Sequence, residues 1–111
     1  VATESRRLVF EGLVLDVDVR SLAKADGEPV ALTSAEFDLL VCLAERPGRV
    51  LTRGQLLDWT RGRIADPLDR TIDVSISRLR RKLAEAVPGA DRLVTTVRNG
   101  GYLFSATVTR A

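Results

Sequence analysis

No histidine occurs in this chain, cysteine occurs once, at Cys42, and the glycines form no phosphate-cradling loop. The usual parts of acid–base and nucleophilic catalysis are therefore missing, and the chain reads as a non-enzyme. A single thiol builds neither a disulfide framework nor a thiolate zinc site, so no metal and no other cofactor is expected. Cys42, placed mid-helix, reads as a small packing residue. Apolar runs last only a few residues, against the roughly 20 that a membrane-spanning helix needs. No basic-then-apolar leader opens the chain, which makes a cytoplasmic location the default expectation. Internal repeats and low-complexity tracts are also absent. The first residue is Val1 rather than Met, which reads as a piece of something longer.

What is present fits one compact domain: 111 residues, 45% of them hydrophobic and 29% charged. The net charge of +2 hides an asymmetry. Residues 1–45 carry four basic side chains against nine acidic ones, net −5, whereas residues 46–111 carry thirteen against six, net +7. All of those thirteen except Lys82 are arginine. A basic half favours a polyanion through phosphate contacts and counterion release. An arginine-rich solvated surface is the competing reading, and charge alone does not separate the two.

Residues 8–31 read as short strands joined by tight turns. Leu8-Val9-Phe10 and Leu13-Val14-Leu15 flank Glu11-Gly12, a hairpin-like pair. Residues 16–20 alternate, with Val17 and Val19 on one side, and Ala25-Asp26-Gly27-Glu28 is a turn signal before Val30-Ala31-Leu32. A small antiparallel meander is expected. Thr33-Ser34-Ala35-Glu36 is a capping box that opens a helix. Phe37, Leu40, Val41 and Ala44 follow at helical spacing, with Leu39 and Leu43 on the opposite side, and Pro47-Gly48 ends the run. Apolar residues on two faces imply burial from two sides. Thr52-Arg53-Gly54-Gln55 is a second capping box, opening a short helix through Leu56, Leu57 and Trp59. Residues 60–68 lack periodicity and read as a loop. A third helix runs over residues 69–86, with Asp69 as its N-cap. Leu93 to Val97 and Tyr102 to Phe104 frame the turn Arg98-Asn99-Gly100-Gly101, a terminal hairpin. The fold class is α+β, ordered strands, three helices, hairpin.

The third helix carries the informative pattern. At about 100° per residue, Ile76, Leu79 and Leu83 all fall close to Ile72 on the helical wheel and form the core stripe. Arg70, Val74, Ser77, Arg78 and Arg81 lie on the opposite side. An exposed valine among arginines adds little to helix propensity or solubility, yet suits a thymine methyl in a major groove. Arg78 beside it can bond guanine bidentately, and Ser77 can serve base or phosphate. Arg70 and Arg81, toward the ends of this face, are better placed for phosphates. Asp73, three residues after Arg70, reads as orienting that arginine rather than reading cytosine. At the hairpin tip Arg98 precedes residues that tolerate left-handed backbone, and an arginine projecting there suits a narrow minor groove. A solvated face and a solvated turn remain the alternatives for each feature taken separately.

Four stretches, in order and at matching spacing, resemble the OmpR/PhoB family of winged helix-turn-helix effector domains. They are Leu32-Thr33-Ser34-Ala35-Glu36-Phe37-Asp38-Leu39-Leu40, Arg49-Val50-Leu51-Thr52-Arg53-Gly54-Gln55-Leu56-Leu57, the third helix from Asp69 to Leu83, and Thr95-Thr96-Val97-Arg98-Asn99-Gly100-Gly101-Tyr102. Thr60-Arg61-Gly62-Arg63 resembles the OmpR branch in particular. The resemblance implies a four-stranded antiparallel N-terminal sheet, three helices and a C-terminal β-hairpin wing. It places Val74, Ser77 and Arg78 in the major groove as base readers. Thr52, Arg53, Arg70, Arg80, Arg81 and Thr96 would hold phosphates, and Arg98 of the wing would enter the minor groove. The loop at 60–68, with Arg61, Arg63 and Asp66, is where family members touch RNA polymerase. The family has glycine directly after the wing arginine where this chain has Asn99, which leaves the turn feasible and the approach of its tip to DNA open.

The implied function is sequence-specific binding of double-stranded DNA and transcription regulation, as the output domain of a two-component response regulator. Residues 1–7 would be a linker remnant from a missing receiver domain, 8–107 the effector domain and 108–111 a tail. A sensor histidine kinase would phosphorylate that receiver, and a homodimer would occupy direct-repeat half-sites, the isolated domain being monomeric. Two rivals stay open at this point. One is a protein-interaction module using the acidic N-terminal sheet; the other is a winged-helix regulator without a phosphorylated receiver, such as a membrane-tethered one.

Overall fold

In the computed structural model, which describes residues 7–60, 71–98 and 100–110, the apolar alternation of the first strands becomes one face of a sheet. Strand β1 (Arg7–Phe10) pairs antiparallel with β2 (Leu13–Asp16), setting Leu8 opposite Leu15 and Phe10 opposite Leu13. All four side chains are buried. The two-residue connection is Glu11-Gly12, both at positive φ (47° and 74°), the combination whose twist matches that of paired strands. Strand β3 (Ser21–Lys24) adds Leu22 opposite Leu15, and β4 (Pro29–Val30) closes this side of the sheet.

The alternation at residues 16–20 does not become a strand. Asp16 Oδ1 accepts the Val19 amide at 3.0 Å, and this local bond closes a turn in preference to a ladder. Val19 is left 66% exposed, while Arg20 adopts a left-handed φ of 62°. The Arg20 guanidinium stacks 4.6 Å above the Phe37 ring and reaches Asp38 at 2.8 Å, clamping the turn to the first helix.

The N-terminal sheet also has a fifth strand. Thr109–Arg110, expected to be part of a tail, form β8 and pair with Leu8 and Val9 of β1, giving the order β4-β3-β2-β1-β8. Only two residues of this segment pair, too short a run to announce a strand on its own.

Both capping boxes form. Thr33 Oγ1 accepts from the Glu36 amide while Glu36 accepts from the Thr33 amide, opening α1 (Ser34–Ala44). Thr52 and Gln55 repeat the exchange at the start of α2 (Arg53–Trp59), whose end is closed by the Thr60 hydroxyl donating to the Leu56 carbonyl at 2.6 Å. Helix α1 is buried on both faces, through Phe37, Leu40 and Ala44 and through Leu39 and Leu43, as its two-sided pattern requires. Helix α3 (Thr71–Ala86) follows, then a short 3-10 turn (Ala90–Leu93) and the hairpin of β6 (Val94–Val97) and β7 (Gly101–Phe104). The hairpin gains a third strand, β5 (Val50–Leu51), giving the order β5-β7-β6. A single apolar cluster runs through the helices and both sheets, with Phe10 and Phe104 meeting edge-to-face at 5.0 Å between ring centres. Among the described residues the result is a small α+β domain with three helices and antiparallel sheets, the winged-helix arrangement the sequence implied.

Candidate nucleic-acid interface

The outer face of α3 is laid out by its inner one. Ile72, Ile76, Leu79 and Leu83 are at most 3% exposed, and that stripe fixes the helix's rotation about its axis. The opposite face is then presented to solvent. Val74 is 42% exposed, and Ser77, Arg78 and Arg81 are exposed beside it. Together with Asp73 these four side chains line one open surface depression. Two guanidiniums, a hydroxyl and an aliphatic tip thus share a surface on one regular helix, where neither the sheet nor the wing covers them. Burial elsewhere leaves this valine outside, although transfer from water would favour hiding it.

The wing is attached to the helices through close backbone contact. Gly101 sits at φ 124°, and a Cβ there would lie 2.1 Å from the Leu51 carbonyl oxygen. Only glycine lets β7 run this close to β5 and to Thr52, the N-cap of α2. Strand β6 is held from the other side by Arg80 of α3, whose Nε donates to the Val94 carbonyl at 2.8 Å and whose Nη2 donates to Thr96 Oγ1 at 2.6 Å. Arg98 is exposed beyond these anchors at the hairpin turn.

Between helix and wing lies a polar cluster that the sequence did not announce. Asp73 Oδ1 accepts from Nε of Arg53 at 2.8 Å and from the Tyr102 hydroxyl. The hydrogen bond from Tyr102, then that from Arg53, holds the Asp73 carboxyl below its ordinary value. Burial, followed by the Asp73 bond, pushes the Tyr102 hydroxyl up, so it stays protonated and donating. The Arg53 guanidinium is held more firmly charged, chiefly by its bond to Asp73. Asp73 was expected to orient Arg70, which lies outside the described residues; among the described residues its Oδ1 serves Arg53 and Tyr102 instead of a base. Tyr102 is the chain's one tyrosine, placed after two glycines, and that was the available signal.

Behind this face Glu36 is 2% exposed and takes Nζ of Lys82 at 2.6 Å. Burial alone would raise its pKa, but Lys82 and the Thr33 cap overcome it and the net shift is downward. Lys82, the lone lysine among the arginines of the basic half, thus ties α3 to the start of α1. Cys42 is buried, and desolvation pushes its thiol up to about 11, which leaves it protonated and inert as a nucleophile.

The expected site residues divide into three groups. Val74, Ser77, Arg78 and Arg81 share the α3 face. Thr96 and Arg98 lie on the wing, with Arg80 bridging helix to wing, and Thr52 and Arg53 open α2, where Arg53 is bound to Asp73. Arg61, Arg63, Asp66, the Asp69 cap, Arg70 and Asn99 lie outside the described residues.

Comparison with known proteins identifies the family. Residues 27–104 match the family described as "Transcriptional regulatory protein, C terminal". Regulatory protein VirG of Rhizobium rhizogenes is 43% identical over 105 residues, covering 95% of this chain and 43% of VirG. The chain therefore spans less than half the length of the curated relatives it matches. The RstA DNA-binding domain of Klebsiella pneumoniae, solved in complex with the RstA box, is 40% identical with a TM-score of 0.72, covering 89% of this chain and 96% of that one. The DNA-binding domain of CpxR from E. coli is 37% identical with a TM-score of 0.75, over 91% and 98% of the two chains. The family consists of transcription regulators and is not one of enzymes. With an exposed Val74–Arg78 helix face, a glycine-anchored wing and a family match over most of its length, this chain belongs to the C-terminal DNA-binding effector domains of OmpR/PhoB-type response regulators.

Proposed function

We propose that the domain binds double-stranded DNA sequence-specifically and regulates transcription, with α3 in the major groove and Arg98 in the adjoining minor groove. The observation that carries this reading is Val74, 42% exposed directly opposite a buried aliphatic stripe and surrounded by Ser77, Arg78 and Arg81. Val74 would contact a thymine methyl, Arg78 a guanine edge and Ser77 a base or phosphate. Arg81 and the start of α2, Thr52 and Arg53, would hold phosphates with Arg70. Arg80 uses two of its N–H groups on the wing, and the guanidinium's remaining donors would serve a phosphate beside Thr96. The RstA domain's structure with its box supports the reading.

In the whole protein a receiver domain phosphorylated by a sensor histidine kinase would precede this domain, with residues 1–6 as the end of the linker, since Arg7, expected to belong to it, begins β1 and pairs with Asp16. Two copies would bind direct-repeat half-sites, and residues 60–68, with Arg61, Arg63 and Asp66, would face RNA polymerase. Such a regulator works in the cytoplasm; among the described residues no helix is long and apolar enough to cross a membrane. Selection from a random duplex library tests the core of the proposal. Enrichment of a defined half-site, with one base position relaxed in Arg78→Ala, is expected; a library that returns no consensus would reject it in favour of a protein-interaction module.

A further inference from the structure

Asp73 immediately precedes Val74, and its carboxylate lines the same depression that would face DNA. An acidic group there repels a polyanion unless it is engaged elsewhere. Its Oδ1 is engaged by donors from two other elements, Arg53 at the first position of α2 and Tyr102 on β7. Two guanidiniums approach the Tyr102 ring, Arg53 at 5.5 Å and Arg80 at 5.8 Å from its centre. Arg80 continues the chain of contacts to Val94 and Thr96 of β6. The ring of Tyr102 belongs to the apolar core, while its hydroxyl reaches the rim beside the reading face. Gly101 sets that reach, because the missing Cβ lets β7 pass against Leu51 and Thr52.

We infer that Tyr102 is a positioning residue for DNA recognition: its hydroxyl, bonded to Asp73, fixes the attitude of the α3 reading face relative to both α2 and the wing. This rests on the DNA-binding reading above and deepens it. Phosphate-holding groups on α2 and on the wing define how the domain sits on the duplex. The depth at which Val74 and Arg78 meet base edges then depends on how rigidly α3 is held to those two elements. Misplacement by a fraction of an ångström weakens base contacts far more than contacts to long, flexible phosphate-binding side chains. The hydroxyl therefore governs selectivity without touching DNA.

Tyr102→Phe keeps the ring in the core and removes only the hydroxyl; Asp73→Asn removes the charge it meets. Both variants, the double variant and Arg78→Ala would be titrated in the 111-residue chain against the selected duplex and a scrambled one, over a salt series, alongside thermal melts. Loss of one bond to a charged group predicts a drop of roughly tenfold in affinity for the selected duplex. For Tyr102→Phe, which changes no charge, affinity for the scrambled duplex and the salt slope should stay as in the parent chain. The double variant should lose no more than about twofold beyond the worse single one, since both break one unit. A lower melting point with the selectivity ratio intact would show a merely structural hydroxyl and overturn the inference. A salt slope reduced by about one would assign Tyr102 to a phosphate and overturn it equally. If Arg78→Ala loses selectivity while Tyr102→Phe does not, the inference alone falls. A parent chain that does not distinguish the two duplexes removes the DNA reading and the inference together.

Discussion

Glu36 shows at a single residue how local and tertiary demands converge. One carboxylate oxygen caps the start of α1 through the Thr33 amide and also receives Lys82 from α3. Its pKa lies below the ordinary 4.5, so folding favours the ionised form. That contribution is complete above the unfolded value and is lost as pH falls through the folded one. Stability followed by urea denaturation should decline below about pH 4.5, and less steeply in Glu36→Gln. Lys82→Met leaves a buried carboxylate unpaired and should cost about 2 kcal/mol at neutral pH, with part recovered in the double variant Glu36→Gln/Lys82→Met. At the interface, Arg78→Ala should cost about 1–3 kcal/mol of specific binding and relax one base position, read by gel shift on single-base variants of the site. The capping role of Glu36 was legible from its spacing to Thr33; its partner 46 residues away was not, because nothing local connects them.

At the scale of elements, the turns and the wing depend on glycines for different reasons. Gly12 and Gly101 both have positive φ, yet a Cβ at Gly12 meets open space and one at Gly101 meets the Leu51 carbonyl. Gly12→Ala should therefore cost about 1 kcal/mol of backbone strain. Gly101→Ala adds a steric clash and should cost about 3 kcal/mol or more, a contrast visible in parallel denaturant titrations. The helices were readable because each has its own start signal and a repeat of 3.6 residues. The short strands β5 and β8 were not, since a two-residue strand exists only through the partner that supplies its hydrogen bonds. The misread segment at 16–20 has the same origin: alternation is compatible with a strand, but the Asp16 side chain offered a closer acceptor for the Val19 amide than any neighbouring strand did.

For the whole molecule, the split between an acidic N-terminal part and a basic remainder sets long-range behaviour. Affinity for DNA should fall linearly in log–log form with salt. Arg98→Ala should weaken binding and reduce that slope by about one in fluorescence-anisotropy titrations; an unchanged slope would remove Arg98 from the phosphate-rich groove. Substitutions within residues 60–68 should impair transcription activation in a reconstituted assay while duplex affinity persists, which would separate the two surfaces functionally.

The chain's own order of residues determined the class of fold, both capping boxes, the core stripe of α3 and the solvent-facing Val74, because each follows from spacing along one element. Tertiary structure alone decided that Asp73 bonds Tyr102 and Arg53, that Lys82 neutralises Glu36, and that Thr109 and Arg110 add a strand to the first sheet. Those features join groups far apart in the chain, and only packing of the shared core brings them within hydrogen-bonding distance.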